Sequence, residues 1–272
     1  MAADGPEQQT YDPTWFDLLD RVEDKHFWFA ARRRVVGALA RRAVRGRPAG
    51  YHVLEIGCGN GGLLPTLQAA CAGGRVIGAD LHAQGLRHAR RRSRVPLVQC
   101  DASRPPFGIG FALVGMFDVL EHLPDDAGAM RDVHRLLTPG GALLLTVPAH
   151  AWLWSYFDEA SNHQRRYAPR GLRARLTDAG FRVAYLSQFM APLAPIMWLK
   201  RRGGSGAGGG GGAGGGGGGG GGSRRDARDE LRIVPGVNGA MNALLAMEAR
   251  FVAACLPVPL GSSLVALAYK DA

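Results

Sequence analysis

Four carboxylates sit where apolar runs give way to turns: Glu55 within Val53-Leu54-Glu55-Ile56, and Asp80, Asp101 and Asp118 just past later runs. Between the first two, Gly57-Cys58-Gly59-Asn60-Gly61-Gly62 leads straight into Leu63-Leu64-Pro65-Thr66-Leu67. That order reads as a buried strand, a tight turn and the start of a helix. Glycine admits φ > 0 and lets a ligand lie against bare backbone, and a helix N-terminus offers it unpaired N–H groups. Such a unit cradles a nucleotide-like molecule, and acids from separate strands can grip its polar edges.

A second set of side chains can move protons or hold anions. His122 follows the fourth expected strand, where it either faces an acceptor or caps the helix that starts near Pro124. His150 falls just past the fifth strand, at the expected pocket mouth. His163-Gln164-Arg165-Arg166-Tyr167 joins a candidate base and a hydroxyl donor to two guanidiniums, which suit phosphate or carboxylate. The same segment reads equally well as a hydrogen-bond knot that holds its own loop.

The elements that must position these groups alternate. Apolar residues recurring at three and four (Trp15, Phe16, Leu19, Val22, Val35, Leu39) predict one leading helix from Thr14 to about Arg45. Strands are expected at 52–56, 75–79, 96–100, 112–117 and 142–147, with helices between most of them, then at 181–186 and 263–269. This is the pattern of an α/β fold built on a doubly wound, mostly parallel seven-stranded sheet, with ligands at the carboxyl ends of its strands. The 272 residues divide into a flexible tail at 1–13, a helical lid at 14–48, an α/β core at 49–187, an insertion at 188–261 and the last strand at 262–272. The insertion opens on the apolar stretch 189–199 and Lys200-Arg201-Arg202, then holds 17 of the 40 glycines in a poly-Gly linker at 203–222. Such a tract buries nothing and is a flexible spacer.

Composition narrows the partners. The net charge of +10 rests on Arg, with Lys only at Lys25, Lys200 and Lys270. No aromatic-interleaved basic stripe accompanies it, so nucleic acid is not expected. Cys58, Cys71, Cys100 and Cys255 lack CxxC spacing and read as reduced thiols, so neither a disulfide frame nor a metal is expected. Without a basic, apolar leader or a run of roughly 20 apolar residues, the expected location is cytoplasmic. The apolar stretch with its basic flank suits peripheral contact with an anionic membrane, or a lipid-linked acceptor.

The glycine turn fits two cofactor templates. Gly57-x-Gly59-x-x-Gly62 with Asp80 matches the dinucleotide fingerprint, whereas Glu55-x-Gly57-x-Gly59-x-Gly61 matches S-adenosylmethionine (SAM) enzymes. Further motifs favour the second: VIGADL at 76–81, VQCDA at 98–102, FDVLEHLPDD at 117–126, LLTPGGALLLTVPAH at 136–150 and NHQRRY at 162–167. With VLEIGCGNGG at 53–62 in front of them, residues 14–272 resemble a class I SAM-dependent methyltransferase. HFWFAARRR at 26–34 and PLGSSLVALAYK at 259–270 resemble a bacterial subgroup associated with cell-envelope glycolipid or polysaccharide genes. Ala112 is a departure, standing where the family often has a structural Asp.

The resemblance implies roles residue by residue. Glu55, Gly57, Cys58, Gly59 and Gly61 would follow the methionine and ribose parts of SAM, and Asp80 would grip the ribose hydroxyls. Asp101 would accept from the adenine amino group between Leu81 and Ala102. Phe117 and Asp118 would face the sulfonium, leaving His122, His150, His163 and Tyr167 as catalytic candidates. The implied activity is in-line methyl transfer to a small or lipid-linked acceptor, in which the protein aligns the reactants and excludes water. A NAD-type oxidoreductase and a non-catalytic SAM-fold binding protein are the competing readings.

Overall fold

The computed structural model describes residues 14–108, 110–202 and 231–272; the expected tail at 1–13 and the poly-Gly linker lie outside the described residues. The first half runs α1 (Thr14–Val22), α2 (Phe27–Ala43), β1 (His52–Ile56), α3 (Leu64–Ala70), β2 (Arg75–Asp80), α4 (Ala83–Arg92), β3 (Leu97–Gln99) and β4 (Phe111–Phe117). The second runs α5 (Asp126–Leu136), β5 (Leu137–Pro148), α6 (Tyr156–Ala160), α7 (Pro169–Asp178), β6 (Phe181–Phe189), α8 (Leu193–Arg202), α9 (Pro235–Ala253) and β7 (Ser263–Lys270).

The strands form one seven-stranded sheet in the order β3-β2-β1-β4-β5-β7-β6. Only β7 runs antiparallel to its neighbours, so the sheet is mixed and mostly parallel, as the strand–helix alternation implies. Helices cover both faces, which is why β4 is buried at every position. Side chains alternate along each strand. Val53 and Leu113 join Leu39, Leu64 and Val252 in one layer; Leu54, Val114 and Met116 join Met130, Val133 and Leu172 in the other. Chain order reverses between β1 and β4, and a crevice opens beyond their carboxyl ends at such a point.

Two local departures from the sequence reading matter, and so does where the insertion packs. The leading helix is two helices, because His26 is an N-cap whose Nδ1 accepts from the Trp28 N–H at 3.2 Å. β5 starts at Leu137, directly after α5, and takes Thr138-Pro139-Gly140-Gly141 into the strand through a register shift against β4. The insertion supplies α8 and α9, and α9 lies on α2, where Asn238 Oδ1 accepts from the Phe27 N–H at 2.9 Å and Arg34 donates to Asn242 Oδ1 at 2.8 Å. Ala112 is buried within β4. Among the described residues no helix is long and apolar enough to cross a membrane.

Candidate active site

The glycine turn hooks onto the end of β2. The Gly57 and Cys58 N–H groups both donate to the Ala79 carbonyl, at 2.8 and 2.9 Å. Gly57 and Gly59 take φ of +75° and +50°, where a side chain is strained. At Gly57 a Cβ would stand 2.3 Å from Val119 Cγ2, whereas at Gly59 it would meet nothing within 4 Å, because that backbone borders open space. Gly61 differs: its Cβ would strike Ala89 of α4 at 2.8 Å, so it serves helix packing.

Around this turn the acids gather. Asp80 is buried, its Oδ2 accepting from the Gly59 N–H at 2.7 Å and its Oδ1 from the His82 N–H at 2.8 Å. Burial raises its carboxyl above the usual range against those two N–H groups. Glu55 is 2% exposed and its Oε2 has no hydrogen-bond partner. Burial pushes its carboxyl up to about 8, with Arg32 pulling the other way. Asp101 is exposed and caps its own loop through the Ser103 N–H at 2.7 Å. Asp118 has a φ of +57° and an ion pair with Arg32 Nη1 at 2.5 Å.

These groups line one cavity of about 1420 Å³. Glu55, Gly57, Cys58, Gly59, Asp80, Leu81, Asp101, Ala102, Phe117, Asp118, His122 and His163 all border it. Its roof is α1 and the start of α2, through Phe16, Leu19, Phe27, Trp28 and Arg32. The roof is tied down by Asn60, which donates to the Phe16 carbonyl at 2.7 Å, and by Arg92, whose Nη1 donates to Asp24 at 2.8 Å and whose Nη2 donates to Asp20 at 3.1 Å. The far wall is apolar, with Leu193, Ile196 and Met197 of α8 and Val237 and Met241 of α9.

Three of the expected site residues are not in that lining. Gly61 is one. His150 has a φ of +59°; its Nε2 lies 2.5 Å from Gln188 Oε1 and its ring stacks on Trp152. Tyr167 is buried and donates to Asp126 Oδ2 at 2.8 Å, an acid that Arg165 and Arg175 also hold. His150 was expected at the mouth and Tyr167 against an acceptor; the structure brings neither side chain into the cavity lining, and these contacts hold them instead.

The sequence reading gave no role to three ionisable groups that meet here. Arg32 crosses from α2 to Asp118. Glu121, beside His122 in the short turn Leu120–His122, is fully buried with neither carboxylate oxygen hydrogen-bonded, and burial holds it well above the ordinary carboxyl range. Asp158 is an anion held down to about 2, burial opposing and His163 and Arg166 lowering it. It takes Arg166 Nε at 2.7 Å and His163 Nδ1 at 2.9 Å. The His163–Arg166 segment is thus partly the loop knot that was the alternative reading, yet it also brings His163 to the cavity. Burial, and His163 next to it, lower His122 to about 3.

A deep cleft at the β1/β4 reversal, bare turn backbone and an unpartnered buried carboxylate describe a site for a nucleoside-bearing cation, and comparison with known proteins agrees. A family model described as a methyltransferase domain matches residues 23–186. A Mycolicibacterium smegmatis protein named a probable SAM-dependent methyltransferase is 32% identical over 60% of this chain and 62% of its own length. The trans-aconitate 2-methyltransferase of an Azoarcus species is 32% identical over 54% of this chain and 53% of its own. The chain therefore spans less than two thirds of these relatives' lengths. A Haloferax volcanii methyltransferase, solved with the Trm112 activator, shares the fold with a TM-score of 0.59 at 17% identity, over 96% of this chain and 97% of that one. The chain belongs to the class I SAM-dependent methyltransferases, and its cofactor is SAM.

Proposed function

We propose that the protein moves the methyl group of SAM to a small acceptor with an apolar portion, taken from a membrane surface or a lipid carrier. One observation carries this reading: the cavity that holds the acidic rim at Glu55, Asp80 and Asp118 continues into the apolar wall of α8 and α9. Its 1420 Å³ exceeds the roughly 300–1,000 Å³ of a pocket for one ligand, so cofactor and acceptor fit together. Beside the mouth, Ile196, Trp198, Leu199, Val234 and Val237 are exposed, which suits an interface, as does the Lys200-Arg201-Arg202 that follows. The Azoarcus relative's name supports a small-molecule acceptor. The cell-envelope resemblance of the chain's ends supports the lipid-linked form.

The residues present fit the cofactor. The bare Oε2 of Glu55 suits an ammonium group, and each Asp80 oxygen, with one N–H already accepted, keeps a lone pair for a ribose hydroxyl. SAM supplies a methyl group already activated by a neutral leaving group. The chain's own work is placement. Glu55, Gly57, Cys58, Gly59 and Asp80 hold the methionine and ribose ends, Asp101, Leu81 and Ala102 flank the adenine, and Phe117 and Asp118 border the methyl. Arg32 keeps Asp118 in place, and the aromatic roof excludes water, the lid role given to residues 14–48. His122 and His163 are the groups left to meet the acceptor.

The test is transfer of labelled methyl from SAM by the full-length protein into aqueous and organic extracts of a bacterial cell. The reading predicts label in the organic phase. Label confined to water-soluble products removes the apolar acceptor, and label in neither phase removes the transfer.

A further inference from the structure

We propose that Glu121, His122 and His163 form a binding site for one divalent transition-metal ion at the acceptor end of the cavity. Each offers a ligand atom, and the three atoms lie within 4.8 Å of one another. Ligands bonded at about 2.1 Å stand roughly 3–4 Å apart, so a small rotation of the side chains closes the set. All three residues line the same cavity as Asp118.

An independent observation points to a cation. Glu121 is 0% exposed, and both of its carboxylate oxygens lack a hydrogen-bond partner. Burying a carboxylate with nothing to hold it is costly, and buried charges in proteins are paired or coordinate metals. Arg32 and Arg166 are near enough to act on it through space, but each is committed elsewhere, Arg32 to Asp118 and Arg166 to Asp158.

His163 is held as a metal-ligating histidine is. An ionised carboxylate only accepts, so the 2.9 Å contact with Asp158 puts an N–H on His163 Nδ1 and leaves Nε2 as the nitrogen that can ligate. A carboxylate behind the imidazole is the arrangement that fixes metal-bound histidine. Asp158 is itself immobilised by two bonds from Arg166, at 2.7 and 3.0 Å, and by the Ser155 N–H at 2.8 Å. The backbone pins the two halves together, the Gln164 N–H donating to the Glu121 carbonyl at 2.8 Å.

Two imidazoles and one carboxylate suit Mn, Fe, Co or Zn ions better than Mg or Ca, and leave coordination positions open. On the proposed methyl-transfer reading, those positions take an oxygen of the acceptor, a hydroxyl or a carboxylate. The metal site itself stands without that reading. Its ligands come from two separated segments, Glu121-His122 and His163, so no spacing rule in the sequence reveals it.

Cobalt(II) titration of the metal-free full-length protein tests the proposal, read by visible d–d absorption, with SAM affinity measured on the same samples. The expected result is saturation at one equivalent per chain, with Glu121→Gln and His163→Gln each weakening binding about tenfold or more. Glu159→Gln, an exposed acid nearby, should change nothing. Asp158→Asn provides a further variant that keeps all three ligands, and should weaken binding about 10–100-fold. No saturable absorption, or equal binding by Glu121→Gln and His163→Gln at retained SAM affinity, overturns the site while leaving the methyltransferase reading intact.

Discussion

Adding one methyl group at Gly57 should damage the cofactor turn in a way that a second, smaller change partly repairs. In Gly57→Ala the new Cβ would stand 2.3 Å from Val119 Cγ2 at a backbone φ of +75°. Val119 is buried and stiff at χ1, so it cannot swing aside cheaply. The left-handed conformation costs an alanine about 1–2 kcal/mol, and overpacking adds about 1–3 kcal/mol, giving a loss of about 2–5 kcal/mol in unfolding free energy. Val119→Ala alone removes two buried carbon groups and costs about 1.5 kcal/mol. In the double variant the clash is gone and the backbone strain stays, so the two changes should couple by about 1–3 kcal/mol. Urea unfolding of the four proteins, followed by far-ultraviolet circular dichroism, measures that coupling. If the losses add to within about 0.5 kcal/mol, the close approach of β1 and the turn after β4 is not what demands glycine.

Three further changes probe the rim. Asp80→Ala should weaken SAM by about 1–3 kcal/mol, about 5–150-fold in Kd by calorimetry; unchanged affinity would take Asp80 out of the site. Arg32→Gln should cost about 1–3 kcal/mol of stability by leaving Asp118 unpaired, and with Asp118→Asn the loss should be smaller than the sum; additive losses would refute the pairing. The carboxyl of Glu55 is raised from 4.5 to about 8. Between those values the unfolded chain releases a proton that the folded one keeps, so cofactor-free stability should fall as pH rises through that window. Urea midpoints across it should show a shallower decline in Glu55→Gln, and an unchanged slope would mean Glu55 is ionised in the fold.

The sheet and the acids gathered at its rim were legible because they are local. Strand, glycine turn and helix follow one another within 53–67, and each acid directly follows its own apolar run. What escaped depends on distant partners. The break between α1 and α2 carries no glycine or proline, only a histidine whose ring happens to cap the next helix. Arg32 reaches Asp118 across 86 positions of chain. Glu121 reads as one more polar residue in a turn, and only its complete burial without a hydrogen-bond partner makes it unusual. His150 and Tyr167 were placed correctly at the end of β5 and in the loop beyond, but direction is another matter. The bridge between Ala149 and Tyr167 aligns the two segments in parallel, and the side chains go to Gln188 and Asp126, where their hydrogen bonds are satisfied.

The central claim is that carboxylates from β1 and β2 and the bare turn between them enclose an adenosyl sulfonium. Calorimetric titration of the full-length protein with SAM, S-adenosylhomocysteine and NAD tests it most directly. Saturable binding of both adenosyl ligands at one per chain, with no heat from NAD, is the predicted result. Saturable NAD binding with no heat from either adenosyl ligand would contradict it.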